Sequence, residues 1–179
     1  GIDRAGEAGT IIHKKENVGE VELATMSFGQ SFQITPMQML RAAAAIVNGG
    51  NLVTPHFAIR TCAADKTTYS EFSYSTTQEA VSKETSDTMK DILRQVVEEG
   101  GGKNAYIEGF SIGGKTATSQ KLPRGSGKYI ASFIGFSDVT DPSVIAMCLI
   151  DEPQGVYYGG TIAAPVIREL YDNILPYMN

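Results

Sequence analysis

Tryptophan is absent from this chain, and histidine and cysteine occur only twice each among its 179 residues. His13 and His56 lie far apart and no C-x-x-C occurs, so the ligand spacings of a zinc or iron site are missing and neither metal nor cofactor is expected. Cys62 and Cys148 stand alone. Cys148 sits in an apolar run and reads as a small buried hydrophobe, and a disulfide between the two is left open. No apolar run approaches the roughly 18 residues of a membrane span, and no signal peptide pattern appears. Excess positive charge is lacking too: a net charge of −5 gives no electrostatic reason to expect nucleic acid or an anionic membrane surface. The chain opens at Gly1 without a Met, which reads as a piece cut from a longer protein. It therefore carries no information on an anchor in its parent.

What is present has the balance of an ordinary soluble globular chain, with 42% hydrophobic and 20% charged residues. A single domain over residues 1–179 is expected. Residues 1–19 are Gly-rich and charged and read as loop, and Val21 to Phe28 as a short helix ending at Gly29. Thr35-Pro36-Met37-Gln38 combines an N-cap threonine, a first-turn proline and a glutamine in a capping box. That helix is predicted to run to Val47 and stop at Asn48-Gly49-Gly50, and its Ala42–Ala45 block predicts deep burial. Leu52 to Val81 fits short strands or a hairpin. A helix from Ser82 to Glu99 follows, with Met89, Ile92, Leu93, Val96 and Val97 at a 3–4 spacing. Three strand candidates come next, Phe110 to Ser119, Lys128 to Ser137 and Ser143 to Ile150, joined by turns too short for parallel crossovers. A final helix from Ile162 to Leu175 would bury Ala163, Ile167, Leu170 and Ile174. The fold class is α+β, an antiparallel sheet flanked by helices.

Gly109 to Thr116, GFSIGGKT, matches the phosphate-loop pattern G-x-x-x-x-G-K-[ST], and Val144 to Glu152 looks like the acidic strand of a nucleotide hydrolase. A phosphate loop needs a helix starting at its lysine, whose free N–H groups face the anion. Here TATSQKLPRGSG follows, with two β-branched threonines, Pro123, Gly125 and Gly127. Period-2 alternation runs straight through, with Ile112, Gly114, Thr116 and Thr118 on one face. Lys115 is predicted in the body of a strand.

Met26 to Leu40 (MSFGQSFQITPMQML), Gly113 to Gln120 (GGKTATSQ), Ala131 to Asp138 (ASFIGFSD), Asp151 to Pro153 (DEP) and Tyr157 to Leu170 (YYGGTIAAPVIREL) together resemble one family. It is the transpeptidase domain of class B penicillin-binding proteins, the division and sporulation type. Gly1 to Glu7 (GIDRAGE) is similar to its G-x-D-x-x-G-E segment. The resemblance implies the β-lactamase-like fold of penicillin-binding transpeptidases and serine acyl transfer on D-Ala–D-Ala stem peptides. It also implies three motifs, S-x-x-K, S-x-N and K-[TS]-G. The first two occur nowhere in this sequence. The chain thus reads as the C-terminal part of the domain, inactive alone, with a parent at the extracytoplasmic face of the membrane and no membrane contact of its own.

By the same resemblance, Lys115 supplies positive charge beside the nucleophile, Thr116 and Thr118 offer hydroxyls to the carboxylate of a stem peptide or β-lactam, and the Thr118 backbone N–H faces the oxyanion. Ala117 stands where the family prefers glycine, on the Lys115 side, and reads either as a narrowing of the site or as a tolerated variant. Arg4-Ala5 is a second, minor departure. The resemblance further implies that the strand Ser143–Ile150 lacks its neighbours, which predicts pairing with the missing half or a homo-oligomer. Lys121, Arg124 and Lys128 read as a solvated loop, with steering of an anionic substrate as the sharper alternative. Gln30, Gln33 and Gln38 read as capping or anchoring groups, and Tyr157 to Gly160 as a turn. A non-catalytic binding homologue and, more remotely, a nucleotide hydrolase are the rival readings.

Overall fold

A computed structural model describes residues 2–3, 5–123 and 125–178. Gly1, Arg4, Arg124 and Asn179 lie outside the described residues, and with them the expectations placed on Arg4 and Arg124. The chain divides into two compact units, residues 1–42 with 53–76, and residues 43–52 with 77–179.

In the first unit, carboxylates of the GIDRAGE segment take hydrogen bonds from distant parts of the chain. Asp3 accepts from the Phe57 and Ala58 amides at 2.8 Å each, and Tyr74 Oη donates to it at 3.2 Å. Those donors hold the Asp3 carboxyl below the usual carboxylate range, the Ala58 amide first. Helix α1 spans Glu20–Met26, close to expectation. Helix α2 spans Pro36–Val47 and crosses from this unit into the second. Its capping box forms: Gln38 N–H donates to Thr35 Oγ1 at 3.2 Å and Thr35 N–H to Gln38 Oε1 at 2.9 Å. Thr35 Oγ1 in turn donates to Glu7 at 2.6 Å. The predicted deep burial of α2 is corrected. Ala42 is exposed, and Ala45 and Val47 are the buried positions of the helix. At its last turn Ile46 and Val47 join Phe136 and Val139. Strands β1 (Arg60–Cys62) and β2 (Tyr69–Glu71) form the expected hairpin, with Arg60 4.7 Å from the Tyr69 ring.

In the second unit, α3 runs Lys83–Glu98 from an N-cap at Ser82, whose side chain accepts from the Thr85 amide at 3.1 Å. The three predicted strands appear as β3 (Ile112–Gln120), β4 (Tyr129–Ser137) and β5 (Val144–Asp151), antiparallel in the order β3-β4-β5. No helix starts at Lys115, so the phosphate-loop reading fails on structure. Helices α4 (Gly159–Ile162) and α5 (Ala164–Ile174) close the chain.

The final helix departs from its predicted form in two ways. It breaks at Ala163 because Pro165 has no N–H to continue the ladder. Its buried face is Ala164, Ile167 and Tyr171, between the expected and fully buried Ala163 and the buried Leu175 just beyond the helix, while Leu170 is 41% exposed. Tyr171 is a polar-tipped residue that the apolar spacing passed over. Its hydroxyl donates to the Gly135 carbonyl at 2.7 Å, fully buried, and burial pushes its pKa up. Tyr171→Phe is expected to cost about 0.5–1.5 kcal/mol in a urea titration, the range for one lost hydrogen bond, since the Gly135 carbonyl keeps its place in the β4–β5 ladder opposite Ala146. The pH dependence has a defined sign. A pKa raised in the folded state means the stability is complete below the unfolded value of 10.0 and lost above it. Tyr171→Phe is expected to flatten that alkaline loss.

Phe133 is the centre of the main core, with Val97, Ile107, Ile112, Ile167 and Tyr171 around it. Its ring occupies room left by glycines: a Cβ at Gly114 would lie 2.5 Å from Cζ, and one at Gly102 3.3 Å from Cε2. Cys62 and Cys148 are both free thiols, and burial raises the pKa of Cys148.

Candidate active site

β3 is an edge strand, paired only with β4 among the described residues. The Lys121 amide donates to the Lys128 carbonyl at 2.9 Å, in register with Gln120 opposite Tyr129. Antiparallel alternation then turns the peptide groups of residues 115, 117 and 119 toward β4, and those of Thr116, Thr118 and Gln120 toward the open edge. The Thr116 carbonyl confirms the sense, since Lys115 Nζ reaches it at 2.7 Å. An unpaired N–H at Thr118 thus faces outward.

Side-chain alternation sorts the four candidate residues onto two faces. Thr116 and Thr118 share one, and the α4 turn is seated on it: the Gly159 amide donates to Thr118 Oγ1 at 3.2 Å. That face bears a cleft of about 330 Å³, walled by Thr116, Ala117, Thr118, the Tyr158–Thr161 turn, and Gly101, Lys103 and Asn104 after α3. It has hydroxyls, an amide and one lysine in its lining, and no acidic side chain. Lys115 is not among the cleft residues. It is exposed on the other face, with its ammonium folded onto the open edge. Ala117 is also exposed and contributes to the cleft wall. Lys103 and Lys115 take part in no ion pair among the described residues.

The other described lysines near the strand are paired with carboxylates and stay partly exposed, as a solvated loop would have them. Lys121 Nζ lies 3.0 Å from Asp151 and 2.8 Å from Glu152, and Lys128 Nζ 3.0 Å from Glu152. These partners, Glu152 first, raise the Lys121 pKa, and Lys121 in turn lowers that of Glu152. These pairs link the end of β3 to the end of β5.

Two contributors escaped the sequence reading. Asn104 Nδ2 donates to the Gly160 carbonyl at 2.8 Å, and nothing in its loop-like context marked it. Gly159 and Gly160 were read as a turn only. A Cβ at Gly159 would stand 2.2 Å from the Ser132 carbonyl oxygen and 2.5 Å from that of Ala117. The turn therefore rests on bare sheet backbone. Three Tyr rings continue the wall: Tyr129 stacks on Tyr157 at 4.0 Å, and Tyr157 meets Tyr158 at 4.7 Å.

Residues 1–172 match the family profile "Penicillin binding protein transpeptidase domain". Stage V sporulation protein D of Bacillus subtilis (strain 168) is 41% identical over 181 residues, covering 98% of this chain and 28% of the relative. Peptidoglycan D,D-transpeptidase FtsI of Escherichia coli (strain K12) is 30% identical over 178 residues, covering 97% of this chain and 29% of the relative. The chain thus spans under a third of these relatives' length. Among solved structures, penicillin-binding protein 3 of Mycobacterium tuberculosis superposes with a TM-score of 0.86 at 25% identity, covering 98% of this chain and 42% of that one. The same protein is known in complexes with aztreonam and ampicillin.

Proposed function

Because the chain belongs to the family of penicillin-binding protein transpeptidase domains, we propose that its parent is a serine-type D,D-transpeptidase of peptidoglycan synthesis. In that chemistry a serine Oγ attacks the carbonyl between two D-alanines, the peptide C–N bond breaks, and D-alanine leaves with the serine's proton. An amine of a second stem peptide then displaces the serine from the acyl ester. The observation that supports a role for these residues is the cleft at the open edge of β3, with its two threonine hydroxyls and without any acid. Thr116 and Thr118 bind the terminal carboxylate, and the Thr118 N–H at the strand edge stabilises the oxyanion. Lys115 is the catalytic lysine of the motif, its ammonium turning from the Thr116 carbonyl to the nucleophile. Ala117 sets the width of the site. The aztreonam and ampicillin complexes of the M. tuberculosis protein support β-lactams as ligands.

Residues 1–179 act as one partial domain, a reading supported by a family match that runs across both compact units. S-x-x-K and S-x-N are absent from the sequence, so the nucleophile comes from elsewhere in the parent. The parent works outside the cytoplasmic membrane, and no described helix of this chain is long and apolar enough to cross it. The unpaired edge of β5 accepts a further strand, from the rest of the parent or from a second copy. Light scattering that finds only monomer for this chain counts against that pairing.

Incubation with a fluorescent penicillin tests the proposal. This chain alone is expected to take no covalent label, and the full-length parent to take one. A labelled band from residues 1–179 alone, or an unlabelled parent, overturns it.

A further inference from the structure

The wall of the cleft opposite β3 depends on two adjacent glycines. Gly159 and Gly160 have the widest conformational freedom of any residues, yet space permits nothing larger. A Cβ at Gly160 would lie 2.4 Å from the Gly101 carbonyl oxygen and 3.1 Å from Thr116 Cγ2. The turn has no side chain of its own to anchor it. Two hydrogen bonds from outside hold it, the Gly159 amide to Thr118 Oγ1 at 3.2 Å and Asn104 Nδ2 to the Gly160 carbonyl at 2.8 Å.

The first of these sets the polarity of Thr118. A hydroxyl has one proton to give and two lone pairs to offer. With the Gly159 N–H on its oxygen, Thr118 offers its proton to whatever enters the cleft, and an anion is the partner that accepts it. We propose that Asn104 is a positioning residue of the carboxylate site: it pins the Gly159–Gly160 turn so that the turn's amide keeps Thr118 poised as a donor. Asn104 itself touches neither ligand nor reacting atoms. The inference rests on reading Thr116 and Thr118 as carboxylate-binding hydroxyls.

The test compares a penicillin with its methyl ester, in the full-length protein that carries this chain. Asn104→Ala is expected to slow acylation by the free acid about tenfold, the scale of one lost hydrogen bond, and acylation by the ester less than about twofold. Asn104→Asp, which keeps the shape and turns a donor into an acceptor, is expected to do the same and serves if Asn104→Ala does not fold. In a Thr118→Val background, Asn104→Ala is expected to add nothing. An unchanged free-acid rate, equal losses for acid and ester, or additive effects with Thr118→Val overturn the role of Asn104 alone. A wild-type protein that is labelled equally well by acid and ester, or by neither, overturns the carboxylate reading and this role with it.

Discussion

Phe133→Ala is expected to cost about 3–5 kcal/mol, the range for truncating a buried phenyl ring. The ring is fully buried, and its neighbours cannot close over the space it leaves. Gly114 and Gly135 line it with backbone, and backbone tied into a ladder does not collapse as side chains do. Against a total stability of about 5–15 kcal/mol, the variant keeps at best a small margin. A loss of roughly 10 °C in melting temperature follows for a chain of this size, with the urea midpoint moving in parallel. Phe133→Leu, which retains most of the volume, is expected to lose less than half as much. A melting temperature within about 2 °C of the parent for Phe133→Ala would mean that the packing around β3 and β4 is not as described.

Gly159→Ala is the second substitution with a large expected effect, and the reason is crowding. Its φ is not in the left-handed region, so an alanine is not strained by conformation. The obstacle is two carbonyl oxygens, of Ser132 and Ala117, at 2.2 and 2.5 Å from the added carbon. Both belong to paired residues of the β3–β4 ladder, and neither can rotate away as a side chain would. The α4 turn must lift instead, which breaks the Gly159–Thr118 bond and opens the cleft. The expected cost is about 1–3 kcal/mol, the range for overpacking. On the proposed function, penicillin acylation of the parent falls by tenfold or more. Gly101→Ala adds the same methyl to the opposite wall where nothing lies within 4 Å, and is expected to be close to neutral. Equal melting temperatures for Gly159→Ala and Gly101→Ala would refute the crowding argument.

Most elements were legible in the sequence because each carries its own local cause. Strands β3, β4 and β5 fell within two residues of their predicted limits, since alternation and Pro/Gly turns define both ends. The Thr35–Gln38 capping box and the helix start near Ser82 were equally local. What sequence did not reveal depends on contacts between segments far apart in the chain. Tyr171 was missed because a periodic apolar count has no place for a hydroxyl whose partner, the Gly135 carbonyl, lies 36 residues away. The Lys121–Asp151–Glu152–Lys128 group needed the register that brings the end of β3 near the end of β5. Asn104 and the Gly159–Gly160 turn met through loop positions that no spacing rule relates. The K-T-A strand itself was found, and alternation alone separated Lys115 from the threonines. Which face bears the cleft became visible only with α4 in place.

The glycine space around Phe133 also limits how this sequence can drift over generations. A side chain at Gly114 would strike the ring and the Ile134 carbonyl, and one at Gly135 would meet the ring and Ile167. Neither position accepts a larger residue while position 133 stays aromatic, and a smaller residue at 133 is harmful until a glycine is filled. A viable path therefore passes through paired exchange, a loss at 133 matched by a gain at 135, because the Ile134 carbonyl would still obstruct a side chain at 114. Lineages that lack the aromatic ring should carry that compensation, and single changes among these positions should be purged.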